Sequence, residues 1–221
     1  MQFPNFQIEQ TFWDKNLLVA GIDEAGRGCL AGPVVAAAVI FPMNFENSEI
    51  KIINDSKKLS KKNREVAFNF IISNAISYSY TIIDSSLIDR INILNASQLA
   101  MNLSIKNLNQ NENFHCLVDG NYFLNMEGRT FTTIVKGDSI SISIAAASII
   151  AKVIRDRFVN DYLDILHPDF AFNEHLGYAT KKHYIAIDKF GKTSFHRISF
   201  LKKYYEQKKI STNNPKIFDI Y

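Results

Sequence analysis

Two short segments, residues 17–23 (LLVAGID) and 33–41 (PVVAAAVIF), are apolar along almost their whole length. Runs this short suit strands rather than helices, and the lack of a polar alternation means that both faces are covered. Strands buried on both sides need helices above and below them, so the chain is committed to a layered α/β architecture. A glycine-punctuated loop at 25–32 follows the first strand, and Pro42 bounds the second. Residues 75–83, with alternating Ile76, Tyr78 and Tyr80, suit a third strand. Residues 114–119 (FHCLVD) and 130–135 (TFTTIV) give a fourth and a fifth.

Helical spacing fills the intervals. Ser60 is a candidate N-cap for a helix over 61–73, with Val66, Ala67, Phe70 and Ile71 on its apolar face. One or two helices follow over 86–108. The longest pattern runs from 141 to 166 and is stopped by His167-Pro168, and further helices are expected over 180–190 and 200–208. The reading is a mixed five-stranded sheet with helices on both faces and a helical C-terminal extension at 175–210. A flexible tail follows at 211–221, and one domain spans 1–221.

The chain has 221 residues, enough to hold a core without staples. Cys29 and Cys116 lie far apart with no CxxC or Cys/His spacing, so both are expected to be free thiols in a reducing compartment. No apolar run reaches the length of a membrane span, and residues 1–14 lack the build of a secretory signal. A cytoplasmic monomer is the expectation. The net charge is only +3, but its distribution is uneven. Lys57, Lys58, Lys61, Lys62 and Arg64 crowd one stretch, and nine Lys or Arg between 181 and 209 face only Asp188 and Glu206. Such clusters are either solvated helix faces or surfaces for phosphates.

The acids carry the sharper signal. Asp23-Glu24 closes the first strand, Asp119 closes the fourth ahead of Gly120, and Asp138 stands between Gly137 and the long helix. Singly they read as a loop mouth, an Asp-Gly turn and an N-cap. Together they read as a site, because ligands gather outside the ends of strands in open α/β sheets. Carboxylates about 4 Å apart repel by roughly 4 kcal/mol at an effective dielectric of 20, so a cluster of them calls for cations. Oxygen-only donors select magnesium or manganese, and a pair of such ions can hydrolyse a phosphodiester. Gly26-Arg27-Gly28 adds exposed amides and a guanidinium beside the acids. Lys152 and Arg155 share a helix face with Ser148; a solvated face is the plain reading, phosphate contact the other. Tyr178 either packs or stacks on a sugar or base. His183, His196 and Arg197 have no metal-ligand spacing.

Read in order, Gly21-IDEAGRG-Cys29-LAGP, Asp55-SKKLS, Leu117-VDGN, Lys136-GDS, Ile144-AAASIIAKVIRDR, Gly177-YAT and His196-RISF resemble the type 2 ribonucleases H, the RNase HII family. The resemblance covers roughly residues 17–203. It implies an RNase H-like fold and an endonuclease that cuts RNA in RNA/DNA hybrids and at single ribonucleotides embedded in duplex DNA. By position in the motifs, it implies metal binding by Asp23, Glu24, Asp119 and Asp138. It also implies reading of the ribonucleotide–deoxyribonucleotide junction by Gly26, Arg27 and Gly28, with Tyr178 stacking near the neighbouring deoxyribose. Lys57, Lys58, Lys152 and Arg155 also fall within the motifs, as further substrate contacts. Two rivals remain: a non-catalytic nucleic-acid-binding module on the same fold, and a type 3 ribonuclease H. The latter are longer at the N-terminus and lack the G-R-G tripeptide.

Overall fold

Every residue of Val34–Ile40 is buried, and this strand, β2, lies inside the sheet. The computed structural model of the chain describes residues 3–108 and 113–212, with side chains described up to residue 208. Its strands are β1 (Leu18–Ala25), β2, β3 (Ser77–Ile83), β4 (Phe114–Asp119) and β5 (Phe131–Ile134), in the order β3-β2-β1-β4-β5. β1, β2 and β3 pair antiparallel, whereas β4 pairs parallel to β1 and β5 parallel to β4. The C-terminal ends of β1, β4 and β5 therefore open on the same side of the sheet.

Helices cover both faces. On one face, α3 (Ser85–Lys106) packs against Ala36, Ala38, Leu18 and Ile22. On the other, α2 (Lys61–Asn74) and α4 (Ile142–Phe158) pack against Val35, Ala37 and Val39. The α4 contact is close. A Cβ built on Gly21 of β1 would fall 2.0 Å from the Ser143 carbonyl carbon and 2.3 Å from Ile144 N, and the next residues of α4, Ala145, Ala146 and Ala147, are buried with β2. Ser60 and Ser141 cap α2 and α4, accepting from the amides of Asn63 and Ile144.

Several expectations need amending. Val66 does not face the core: it is 52% exposed, and Phe68 is buried alongside Ala67, Phe70 and Ile71. On β3 the alternation holds, with Ile76, Tyr78, Tyr80 and Ile82 outward and Ser79 and Ile83 inward. The cause is the tight seat of α3. Ser79 donates to the Ser104 carbonyl, and Ser104 in turn donates to Ala36 (3.1 Å), so a tyrosine has no room there. Asn92 breaks α3 at φ 64°, and its side chain accepts from Asn95 N to restart the helix.

A short helix not foreseen in the sequence, α1 (Gln7–Trp13), buries Trp13 and Glu9. Glu9 accepts from Ser141 Oγ (2.7 Å) and Ser143 N (3.0 Å), bracing the start of α4. Burial raises its carboxyl above the ordinary range.

Beyond α4, a π-helical turn at Val159–Leu163 leads into the single turns α5 (Asp164–Leu166) and α6 (Phe172–His175). Two longer helices follow, α7 (Lys181–Phe190) and α8 (Ile198–Thr212), the latter longer at both ends than expected. They form a separate apolar cluster around Phe170, Phe172, Ile187 and Leu201, which takes in Leu30 and Ala31 from the loop after β1. Of the expected tail, residues 213–221 lie outside the described residues.

Candidate active site

Ile22 of β1 pairs with Val118 of β4, so the next residue of each strand, Asp23 and Asp119, stand side by side. Neighbouring strands lie about 4.8 Å apart. Asp119 also pairs with Ile134, where β5 ends. The chain then turns through Lys136 at φ 57° into Gly137 and Asp138. Asp119 Oδ1 accepts from Gly137 N at 2.7 Å, tying that turn to the end of β4. Asp138 is 8% exposed and does not cap α4, since Ser141 does. Capping therefore does not explain it.

The charges of these acids act on one another. Asp23, 5% exposed, has its carboxyl pushed well above the usual range, first by burial and then by Glu24 and Asp119. Ser148 and the Glu24 amide oppose the shift. Glu24 is raised by burial and by Asp119, against the pull of Arg27, whose Nη1 lies 3.0 Å from Glu24 Oε1. Asp138 is raised by burial, Asp55 and Asp119, against Lys57 and Lys58. Among the described residues no three acids, histidines or cysteines close into a metal cage as they stand. Their oxygens are held instead by Arg27, Gly137 N and Ser148. The donor set is nonetheless all carboxylate oxygen, buried at Asp23 and Asp138, partly exposed at Glu24 and Asp119 and mutually repelling, which fits hard divalent cations.

The surrounding residues divide into two groups. Lys57 and Lys58 lie exposed on a turn whose Asp55 accepts from Lys57 N (2.9 Å) and pairs with Lys58 (3.5 Å). Arg155, expected on a solvated face or in contact with substrate phosphate, is 0% exposed; its Nη2 donates to Leu176 O (2.7 Å) and Ala31 O (3.4 Å). Lys152 is half-buried and bonded to Asp156 at 2.8 Å. Both cations sit 5.3 Å from the centroid of the Tyr178 ring, which is 38% exposed. Gly26 has φ +94°, and a Cβ there would meet Arg155 Nε at 2.6 Å and Pro33 O at 2.7 Å. At Gly28 an added Cβ meets nothing within 4 Å.

Sequence reasoning missed some participants. Ser148 steadies Asp23 and is itself bonded to Ser56 at 3.0 Å. Asp55 adds a fifth acid beside Asp138. The offset of four between Ser148 and Lys152 was the available signal for the first; nothing local marks the second.

A family model for "Ribonuclease HII" matches residues 20–203. The chain belongs to the ribonuclease HII family. The Cytophaga hutchinsonii ribonuclease HII is 44% identical over 190 residues, covering 86% of this chain and 92% of that protein. The Aquifex aeolicus ribonuclease HII is 47% identical over 196 residues, covering 89% and 95%. The crystal structure of ribonuclease H2 from Pyrococcus horikoshii superposes with a TM-score of 0.68 at 24% identity, over 86% of this chain and 98% of that one, a likeness of fold. As a ribonuclease HII relative over most of its length, the chain is a ribonuclease H, an endonuclease and a hydrolase. The match decides between the types, and no helix among the described residues is long and apolar enough to cross a membrane.

Proposed function

We propose that this enzyme hydrolyses the RNA strand of RNA/DNA hybrids and cuts on the 5′ side of single ribonucleotides in duplex DNA, leaving 3′-hydroxyl and 5′-phosphate ends. Asp23, Glu24, Asp119 and Asp138 would hold two divalent cations, magnesium or manganese. The observation that carries this reading is the placement of the four acids at the ends of β1, β4 and β5, with three carboxyls driven up by burial and by one another. Cations bound there would activate water and stabilise the leaving oxygen of a phosphodiester.

The protein's own groups supply position. Lys57 and Lys58 stand exposed beside Asp138, where they can neutralise a phosphate. Arg27 shares its guanidinium between Glu24 and solvent, so it can release the carboxylate when a phosphate takes its place. Open space at Gly28 admits backbone amides to a 2′-hydroxyl, the group that separates RNA from DNA. Tyr178 offers a half-exposed ring for the sugar that lacks that hydroxyl, its underside fixed by Lys152 and Arg155. In this reading Arg155, being buried, positions the ring and does not touch phosphate.

The test is a labelled duplex containing one ribonucleotide, incubated with and without magnesium or manganese, with an all-DNA duplex beside it. Cleavage is expected only at the ribonucleotide and only with the ion. D23N and D138N should each lower the rate by at least about a hundredfold, the usual scale for losing a principal electrostatic group of an active site. Binding should persist through the lysines and weaken steeply with salt. Parent-like cleavage by either variant removes that acid from the site, and binding without cleavage by the parent favours the non-catalytic reading.

A further inference from the structure

Arg197 is 0% exposed, yet no carboxylate pairs with its guanidinium among the described residues. Its donors go instead to three backbone carbonyls of the loop after β1. Nη2 donates to Gly26 O (2.7 Å) and Gly32 O (2.9 Å), Nη1 to Arg27 O (2.8 Å) and Nε to Gly32 O (3.0 Å). The backbone on either side joins in, with Arg197 N donating to Leu30 O (2.7 Å) and Gly32 N to Phe195 O (2.9 Å). Burying a charge is costly unless every donor is satisfied, so this guanidinium is invested in one loop geometry.

The residue before it reaches the second reading element. Thr193 N donates to His196 Nδ1 (2.9 Å), which leaves the proton on His196 Nε2. That nitrogen lies 3.0 Å from His183 Nε2, which must then accept, so His183 Nδ1 donates to Tyr178 O (2.9 Å). The chain of bonds has a single direction, from Thr193 through two neutral imidazoles to the carbonyl of Tyr178.

We infer that the segment 195–197 is a clamp that registers the Gly26–Gly28 loop against Tyr178, making Arg197 and His196 positioning residues for recognition of a single embedded ribonucleotide. The inference rests on the proposed function, in which those two elements read the junction. A continuous hybrid offers many registers and many 2′-hydroxyls, whereas a lone ribonucleotide offers one. Loosening the clamp therefore affects the second substrate more than the first. The acids sit on strand ends and on the Gly137 turn, and none of them bonds to the clamp.

The test compares R197K and H196N with the parent on two substrates, a duplex with one ribonucleotide and a continuous RNA/DNA hybrid. R197K keeps the charge but loses the planar fork. The ratio of kcat/KM for the single ribonucleotide over the hybrid is expected to fall roughly tenfold, the effect of one buried charge-assisted bond lost. The loss should lie mainly in kcat, because positioning is felt as the reacting atoms align. A destabilised but otherwise intact enzyme would lose both activities together and keep the ratio. A parent-like ratio in both variants overturns the clamp. Should R197K melt below the assay temperature, H196N, which keeps the guanidinium, decides the matter through Tyr178. A parent that fails to cut the single ribonucleotide instead overturns the functional reading itself, and the inference with it.

Discussion

Gly26 and Gly28 flank one arginine yet differ in what an added methyl group would meet. At Gly26 it meets Arg155 and the Pro33 carbonyl, and the backbone stands in the left-handed region. Gly26→Ala should therefore cost about 2–4 kcal/mol of stability, read by urea denaturation. At Gly28 nothing of the protein stands in the way. Gly28→Ala should leave the melting temperature within about 2 °C while lowering single-ribonucleotide cleavage, because in the proposed reading substrate fills that space. Parent-like cleavage by Gly28→Ala would show that the substrate does not come so close. Asp23 offers another single-residue test. A carboxyl raised by folding makes the folded state the better proton binder, so stability falls as pH rises above the ordinary carboxylate range. Asp23→Asn removes that repulsion and, in chelator at neutral pH, should raise stability by about 1 kcal/mol. Magnesium or manganese should close the gap by stabilising the parent. A variant less stable than the parent in chelator would show that hydrogen bonding to Ser148 outweighs repulsion.

Among the elements, the contact of α4 with β1 bears most directly on the acids. α4 follows the Asp138 turn, and it crosses the strand that carries Asp23 with no Cβ between them at Gly21. Gly21→Ala should destabilise by about 3 kcal/mol or more, since backbone atoms of Ser143 and Ile144 would have to retreat. A melting temperature within a few degrees of the parent would mean that the helix can slide. The same elements tell how much was legible beforehand. The apolar runs marked the strands, and helical spacing with the Ser60 cap marked the long helices, because those signals are local. The acids stood out because three of them end strands. What stayed hidden depends on distant packing. The inward face of β3 is set by Ser104 on α3, and the burial of Arg155 by carbonyls of Ala31 and Leu176. Glu9 looks like an ordinary surface acid until α4 is laid beside it. His196-Arg197 showed as a motif without a role, since the carbonyls that Arg197 binds lie at the other end of the chain.

At the scale of the whole molecule, the C-terminal segment is tied together partly through uncharged histidines, His196 bonding to His183 and His183 to the Tyr178 carbonyl. Burial pushes His183 down to about 4 and His196 to about 3, from 6.5. Below 6.5 the unfolded chain binds protons that the folded one refuses, so stability is intact above that value and falls as pH drops toward 4. At pH 5 the loss from His183 is about 2 kcal/mol. Melting curves of the parent and His183→Gln between pH 7 and pH 5 isolate it from the acids, which drift the other way. The parent should lose more stability than the variant over that range, and parallel curves would place the titration elsewhere.

The clamp also has a consequence for synthesis. Gly26 precedes Arg197 by 171 residues. A ribosome adding 5–20 residues per second takes roughly ten to thirty seconds between the two. All four acids have been translated before the residue that fastens the reading loop exists. If the inference holds, chains stalled short of residue 195 should cut a lone ribonucleotide less well, relative to a continuous hybrid, than the parent does, which purified stalled complexes can reveal. On the proposed reading, the bonds that fix the Gly26–Gly28 loop come only after every acid of the site has been made, so discernment is the last property the growing chain acquires.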